Sequence, residues 1–332
     1  MPTDSTDAAP FSTAYPIPDG WGLHRMPDLT GRLAVVTGGN TGLGLCTARE
    51  LARAGADVVL AVRSTGRGDA AAADITAAAP ASRVEVRRLD LADLTSVRDF
   101  ADRFLDEHVA LDLLINNAGI MATPRRTTTD GFELQFGTNH LGHYALTGRL
   151  LPALCAATAA RVVTVSSDLH SLGRIDFRDL QSKRGYGRMR AYGTSKLANL
   201  LFTAELDRRA TAAGLAVRAY AVHPGYAATS LNITGRPALV QRLMSIPNAL
   251  IAVRPVTGAL PALCAATLPG LPGGLFLGPR GRSGIRGAPG VLVPKERARD
   301  RTTAVRLWEV SQSLTDVRYD FTAARVSDSP AP

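Results

Sequence analysis

The 332-residue sequence predicts an α/β fold: a doubly wound parallel sheet in one domain, with a C-terminal extension. Three observations carry this expectation. From residue 32 onward, short apolar β-branched runs alternate with longer segments of helical apolar spacing, the pattern of a parallel sheet covered by helices on both faces. The runs "LAVV", "VVLAV" and "DLLI" are continuously apolar, as strands buried on both faces must be. No internal repeat and no second domain interrupts the alternation.

The elements follow in order. "RLAVVTG", ending at Gly38, reads as the first strand and "LGLCTARELARAG" as the first helix. "ADVVLAVR", the Ala-rich 68–79 segment, "RVEVRRLD" and "LTSVRDFADRFLDEH" continue the alternation. "LDLLINNAG" leads to a long helix expected from about Gly131 to Ala157, and "ARVVTVSS" is the fifth strand. A polar insertion runs from Asp168 to Gly187, then a helix bearing Tyr192 to about Ala213, then the strand "AVRAYAVHPG". Pro255 to Pro279 carries no charge, but its five prolines rule out a spanning helix, so it reads as a buried helix, a turn and a short buried strand. Beyond Gly278 the chain looks like an appended loop and helix, with Trp308 and Leu314 on the packing face. The expected division is a flexible leader over 1–30, a single α/β domain over 31–280 with a covering segment over 226–254, and a C-terminal loop, helix and tail over 281–332.

Composition narrows the partners. Hydrophobic residues make up 45% and charged residues 20%, an ordinary globular balance. The net charge of +9 could point to nucleic acid, but no run of five like charges occurs and aromatics are only 5%, so stacking platforms are scarce. A basic mouth that attracts a phosphate-bearing cofactor fits the same charge. Cys46, Cys155 and Cys264 are odd in number and far apart, which fits reduced thiols in a cytoplasm and no metal site. The N-terminus lacks a basic start followed by an apolar run and is not a signal peptide. The expectation is a cytoplasmic protein with no membrane insertion and no nucleic-acid partner; a homodimer or homotetramer is left open.

"TGGNTGLG" lies between the first strand and the first helix. Glycines at 38, 42 and 44 permit a tight turn and a close approach of backbone N–H groups to a pyrophosphate, and the helix N-terminus favours that anion. Gly38, Asn40, Thr41, Gly42, Leu43 and Gly44 are thus candidate cofactor contacts, in a loop placed as in a Rossmann-type fold. The second strand ends without a carboxylate. Arg63 and Arg67 stand there instead, suited to a 2′-phosphate and hence to NADP(H) rather than NAD(H). Asp90 and Leu91 are placed to line the adenine, and Asn117, Ala118 and Gly119 to let the ribose sit close to the backbone.

Tyr192 and Lys196 share one helix face at i, i+4. A phenol has a pKa of about 10 and is a poor base at neutral pH. An ammonium about 5 Å away is expected to lower it by about 2 units. Ser167 falls just past the fifth strand, at the edge where ligands sit. Asn139 lies inside the long helix, where an amide is a poor structural choice. His140, His143 and His170 are near the site in sequence and read as structural or surface residues. His223, Pro224 and Gly225 end the sixth strand, and the 226–254 segment that follows is mostly apolar, suggesting a lipophilic ketone, aldehyde or alcohol.

TGGNTGLG, NNAG at 116–119, Asn139, Ser167, YGTSK at 192–196 and HPG at 223–225 resemble, in order and spacing, the short-chain dehydrogenase/reductase family. The similarity covers roughly residues 30 to 280. Within the family, "TGGNTGLG", "LAVRSTGRG" and the lengthened 168–187 segment look most like the branch of retinol-dehydrogenase-like, WW-domain-oxidoreductase-like and protochlorophyllide-reductase-like proteins. The resemblance implies carbonyl or alcohol oxidoreduction with NADP(H). It implies Tyr192 as general acid/base, and Lys196 as the group that lowers its pKa and binds the nicotinamide ribose. Ser167 would bond the substrate carbonyl, Asn139 would hold a relay water, and Thr229 would sit near the nicotinamide amide. The alternative is a catalytically silent NADP(H)-sensing protein of the same fold; such proteins usually lose the Tyr or the Lys, and both are present here.

Overall fold

The computed structural model describes residue 11 and residues 15–225, 255–281 and 287–322. Its β-branched runs form β1 (Leu33–Thr37), β2 (Asp57–Val62), β3 (Val84–Arg88), β4 (Leu113–Asn116), β5 (Arg161–Val165), β6 (Arg218–Val222) and β7 (Leu275–Pro279). These pair in parallel in the order β3-β2-β1-β4-β5-β6-β7, and β8 (Pro289–Val291) adds to β7 antiparallel. The strand order reverses between β1 and β4, which opens a crevice at the carboxyl edge.

Helices cover both faces. One core layer holds α1 (Gly42–Arg53), α2 (Thr65–Ala78) and α8 (Pro255–Thr267) against the sheet through Leu51, Ile75 and Leu263. The opposite layer holds α3 (Leu94–Glu107), α5 (Gly142–Arg149) and α7 (Arg188–Ala212) through Phe104, Leu146 and Leu206. The uncharged Pro255–Pro279 stretch is the expected helix, turn and strand, with Pro261 inside α8.

Four expectations change. The helix foreseen from Gly131 to Ala157 is broken into α4 (Leu134–Phe136), a π-turn (Gly137–Leu141), α5 and α6 (Leu151–Ala156). Gly131 is a left-handed turn (φ 84°), and Glu133 caps the start by accepting from Gln135 N and Phe136 N. The break between α5 and α6 falls at Leu150, just before Pro152, which removes one helical N–H. The leader is not loose where it is described: Phe11, Ile17, Trp21 and Leu29 are buried, and the Phe11 ring meets Phe276 of β7 edge-on. A draped segment with this many large apolar groups gains more from burial than it loses in chain entropy. Nor is the tail an appendage. The boundary placed at 280 falls inside the β7–β8 hairpin, and α9 (Arg301–Thr315) buries Leu307 and Trp308, with Leu314 partly buried beside them. The Pro- and Gly-rich sequence of β8 reads as loop, because such residues are tolerated only on edge strands.

Candidate active site

The strand ends that carry the motifs all meet at the carboxyl edge. After β1, Gly38 turns the chain with φ 64°, and Gly42 follows with φ 56°, both left-handed conformations that suit glycine. A Cβ on Gly38 would lie 3.1 Å from Ala118 Cβ, so the loop rests on the turn after β4. A Cβ on Gly44 would collide with the Gly38 carbonyl and come 2.5 Å from Asn117 Nδ2. Asn117 Nδ2 in turn donates to Thr37 O at 2.8 Å. Asn40, Thr41 and Leu43 complete this loop at the start of α1, whose first N–H groups lack helical partners.

At the end of β2, Arg63 and Arg67 are exposed and form no hydrogen bond or ion pair with the described residues. Leu89 N donates to Val62 O (2.9 Å), which brings Asp90 and Leu91 beside Arg63. Asp90 Oδ1 accepts from Ala92 N at 3.0 Å, and Leu91 is buried where Gly142 of α5 closes on its carbonyl. Pro224 and the left-handed Gly225 follow β6 at the same edge. Thr229 and the 226–254 segment lie outside the described residues.

The reacting groups come from β5 and α7. Tyr192 is 6% exposed, and its phenol is hydrogen-bonded by the Ser167 side chain. Ser167 also caps the 3-10 turn Asp168–Leu172, its Oγ accepting from Leu169 N. Ser166, one residue earlier, faces α7 instead and donates to the Lys196 carbonyl at 2.8 Å. Lys196 is 3% exposed and donates from Nζ to Val165 O at 2.8 Å. Its ammonium sits 5.7 Å from the Tyr192 ring centroid and would be 3.5 Å from a Cβ on Gly119. Glycine at 119 therefore keeps a gap open beside the ammonium, and an NH₃⁺ has two further donors to offer there.

Electrostatics depart from the sequence expectation. Burial pushes the Tyr192 phenol up to about 12, and only the Ser167 bond opposes it. Burial likewise lowers Lys196 to about 8. Burial is the largest influence on both groups, and it outweighs the pull of the ammonium on the phenol.

Asn139 also differs from a simple water ligand. Its Oδ1 accepts from Ile120 N (2.9 Å), and its Nδ2 donates to Ile120 O (3.0 Å) and Ser195 Oγ (2.9 Å). Both amide donors are thus used in clamping the turn after Gly119 to α7. Behind it lies His143, expected as a structural residue, although its hold on Asn139 was not foreseen. His143 Nδ1 meets Asn139 O at 2.9 Å, and its Nε2 meets Thr37 Oγ1 at 3.0 Å. The carbonyl can only accept, so the proton lies on Nδ1 and Nε2 takes the Thr37 hydroxyl proton. Thr37 Oγ1 then accepts from Asn117 N and Ala118 N. One neutral imidazole so fixes the π-turn, the end of β1 and the turn after β4. The i, i+4 spacing of Asn139 and His143 is the signal that could have found it. His140 and His170 are positioned likewise, on Ser311 Oγ (2.9 Å) and Ser167 O (2.7 Å).

These buried rings predict acid lability. Burial lowers His140 to about 3 and His143 to about 4. Both rings are neutral when folded but take up protons when unfolded below 6.5, so their stabilisation is complete above that pH and lost as pH falls. At pH 5 the two together cost about 4 kcal/mol. Asp207, raised to about 6 by burial, works oppositely and returns about 1 kcal/mol over the same interval. The expected Tm is about 4 °C lower at pH 5 than at pH 7.5. An equal or higher Tm in acid, followed by differential scanning fluorimetry, would contradict neutral buried rings.

A glycine-lined turn at the switch point, a buried Tyr/Lys pair and a serine at the end of the neighbouring strand define a nucleotide-dependent oxidoreductase. A family model described as short chain dehydrogenase matches residues 32–238. The chain is 44% identical to Retinol dehydrogenase 12 of Mus musculus over 293 residues, 88% of this chain and 89% of that one. It is 42% identical to Retinol dehydrogenase 11 of Homo sapiens, covering 88% of each. An uncharacterized protein of Mycobacterium Paratuberculosis has a crystal structure with TM-score 0.76 at 47% identity, covering 91% of this chain and 99% of that one. The chain belongs to the short-chain dehydrogenase/reductase family, in its retinol-dehydrogenase-like branch, and is an NAD(P)-dependent oxidoreductase. Among the described residues no helix is long and apolar enough to cross a membrane.

Proposed function

We propose that this enzyme uses NADP(H) to interconvert a lipophilic ketone or aldehyde and its alcohol in the cytoplasm. The observation that carries the reading is the convergence of Tyr192, Ser167 and Lys196 beside the open turn at Gly119. A dinucleotide fits the residues present: the 38–44 loop admits no side chain at Gly44, and Lys196 retains donors facing Gly119. Gly38, Gly42 and Gly44 would hold the pyrophosphate, Asp90 and Leu91 the adenine, Asn117, Ala118 and Lys196 the nicotinamide ribose, and Pro224, Gly225 and Thr229 the nicotinamide. The bound cofactor supplies or accepts the hydride. Ser167 donates a hydrogen bond to the substrate oxygen, and Tyr192 gives it a proton in reduction or takes one in oxidation. With its pKa near 12 the phenol rests protonated at neutral pH, the form that reduction needs. Asn139 holds the turn and Ser195 in register, which is a positioning role.

Arg63 and Arg67 support the NADP(H) preference, being exposed and without partners among the described residues at the end of β2. Two guanidinium–phosphate contacts at roughly 1.5 kcal/mol each give on the order of 100-fold tighter binding of NADPH than of NADH. Dissociation constants for both nucleotides, measured on the wild type and on Arg63→Ala/Arg67→Ala, check this. Equal affinities in the wild type, or an unchanged ratio in the double variant, would remove the assignment. A carbonyl panel of varied ring size and polarity, followed by NADPH oxidation, tests the substrate class.

A further inference from the structure

The 168–187 insertion, the start of α7 and their neighbours carry charge that the active site does not use. "KRGYGRMR" over 183–190 holds four cations and no acid. Lys183, Arg184, Arg188 and Arg190 are exposed, as are Arg125 and Arg126 alongside, and none forms an ion pair among the described residues. Acids are fewer than cations here: the Asp179 carboxylate accepts from Lys183 N and Arg184 N and feels the Arg184 and Arg125 charges, Asp176 faces Arg178, and Glu296 is exposed between Lys295 and Arg297. Arg188 and Arg190 also occupy the first turn of α7, which has no acid and no side-chain cap. Cations at a helix start oppose the dipole, so local stability does not explain them.

Hydrogen bonds fix the segments that carry these residues. Arg125 donates to Ser182 O and Gln181 O, and the Tyr186 hydroxyl is held by Gln135 Nε2 (2.8 Å) and Thr123 O (2.9 Å). One helical turn beyond Arg190, Thr194 Oγ1 bonds both backbone groups of Arg174. Beyond it, Arg297 reaches Gly173 O, and Lys295 N donates to His170 Nε2. Three large apolar residues stand out of the same rim: Leu172 is 51% exposed, Met189 39% and Val293 58%. Arg63 and Arg67 lie at the end of β2, three strands from β5, so the cofactor phosphate does not account for the patch.

We propose that this rim docks the enzyme on an anionic lipid bilayer, with the cations on the headgroups and Leu172, Met189 and Val293 in the interface. An excess of exposed cations interleaved with exposed apolar side chains matches the chemistry of that surface, whereas an acidic protein would need only the charge. Tyr192 lies one turn of α7 beyond Arg188, so docking brings the site mouth to the lipid. That consequence rests on the proposed substrate class; the docking itself does not.

The experiment is vesicle flotation of the full chain with phosphatidylcholine alone and with about 30% phosphatidylglycerol, at low and at high salt. The expected result is flotation on anionic vesicles only, weakened by salt. Each cation near such a surface contributes roughly fivefold, so losing three costs on the order of 100-fold, and K183E/R184E/R190E, which also adds three negative charges, should bind more weakly than that. Leu172→Ser/Val293→Ser should weaken binding at high salt more than at low salt. Unchanged NADPH affinity in both variants establishes that they are folded. No flotation on anionic vesicles, equal flotation on neutral ones, or wild-type flotation by the charge-reversed variant would overturn the proposal. Retention on polyglutamate without flotation would assign the surface to an acidic protein and overturn it as well.

Discussion

Lys196→Arg should be nearly inactive, with turnover reduced on the order of 100-fold or more, while Lys295→Arg should behave as wild type. Only three of the 38 basic residues are lysine, so at a position where charge alone mattered this chain would carry arginine. Lys196 is buried at 3% exposure, with Nζ on the Val165 carbonyl and Gly119 directly beyond it. Asn199 Nδ2 shares the same carbonyl at 3.2 Å. A planar guanidinium is larger than this gap and spreads its charge over three nitrogens. It would displace the Gly119 turn, where the nicotinamide ribose is proposed to sit, and carry the charge away from Tyr192. NADPH affinity should therefore weaken along with turnover. Lys295 is exposed; its backbone N–H donates to His170 Nε2 and its carbonyl accepts from Ala298 N, bonds that arginine would keep. Turnover of Lys196→Arg within about threefold of wild type, in a protein with unchanged Tm, would show that a buried positive charge suffices without the compact ammonium.

How much of this was legible depended on the range of the interaction. β1 to β6 were readable because a doubly buried strand writes its environment locally, as in "VVLAV". The 38–44 loop was readable because steric demands at Gly38 and Gly44 leave one residue type. Ser167 rather than Ser166 came from its place just past β5 and from the family resemblance; the structure turns Ser166 towards the Lys196 carbonyl. Illegible features hang on distant partners. Phe11 is held by Phe276, and His140 by Ser311, contacts with no local trace. The π-turn at 137–141 comes from Asn139 reaching across to Ile120 and Ser195, which periodicity cannot register. The resting pKa of Tyr192 was beyond reach for a related reason. Helical spacing gave the distance to the ammonium but not the depth of burial that raises the phenol.

The neighbouring serines should separate cleanly. Ser167→Ala removes the donor to the substrate oxygen and the hydroxyl that bonds the Tyr192 phenol. Loss of one such preorganised donor typically lowers turnover by about 100-fold or more. It also removes the cap on Leu169 N, a bond of 3.2 Å, so a modest fall in Tm is expected alongside. Ser167→Thr keeps the hydroxyl and should recover part of the turnover, which a purely structural role for the cap would not distinguish. Ser166→Ala acts by another route. Ser166 is 1% exposed and its Oγ donates to the Lys196 carbonyl, so the substitution deletes one buried hydrogen bond and leaves a small void, costing about 0.5–1.5 kcal/mol of stability. Lys196 keeps its own bond to Val165 O, so turnover should fall by less than about tenfold. The two variants thus exchange their effects: Ser167→Ala loses more turnover, Ser166→Ala more stability. Steady-state kinetics and thermal denaturation on both proteins decide it. If Ser166→Ala were the more damaging to turnover, the hydroxyl serving the substrate would be that of Ser166, and the register of β5 at the site would be wrong by one residue.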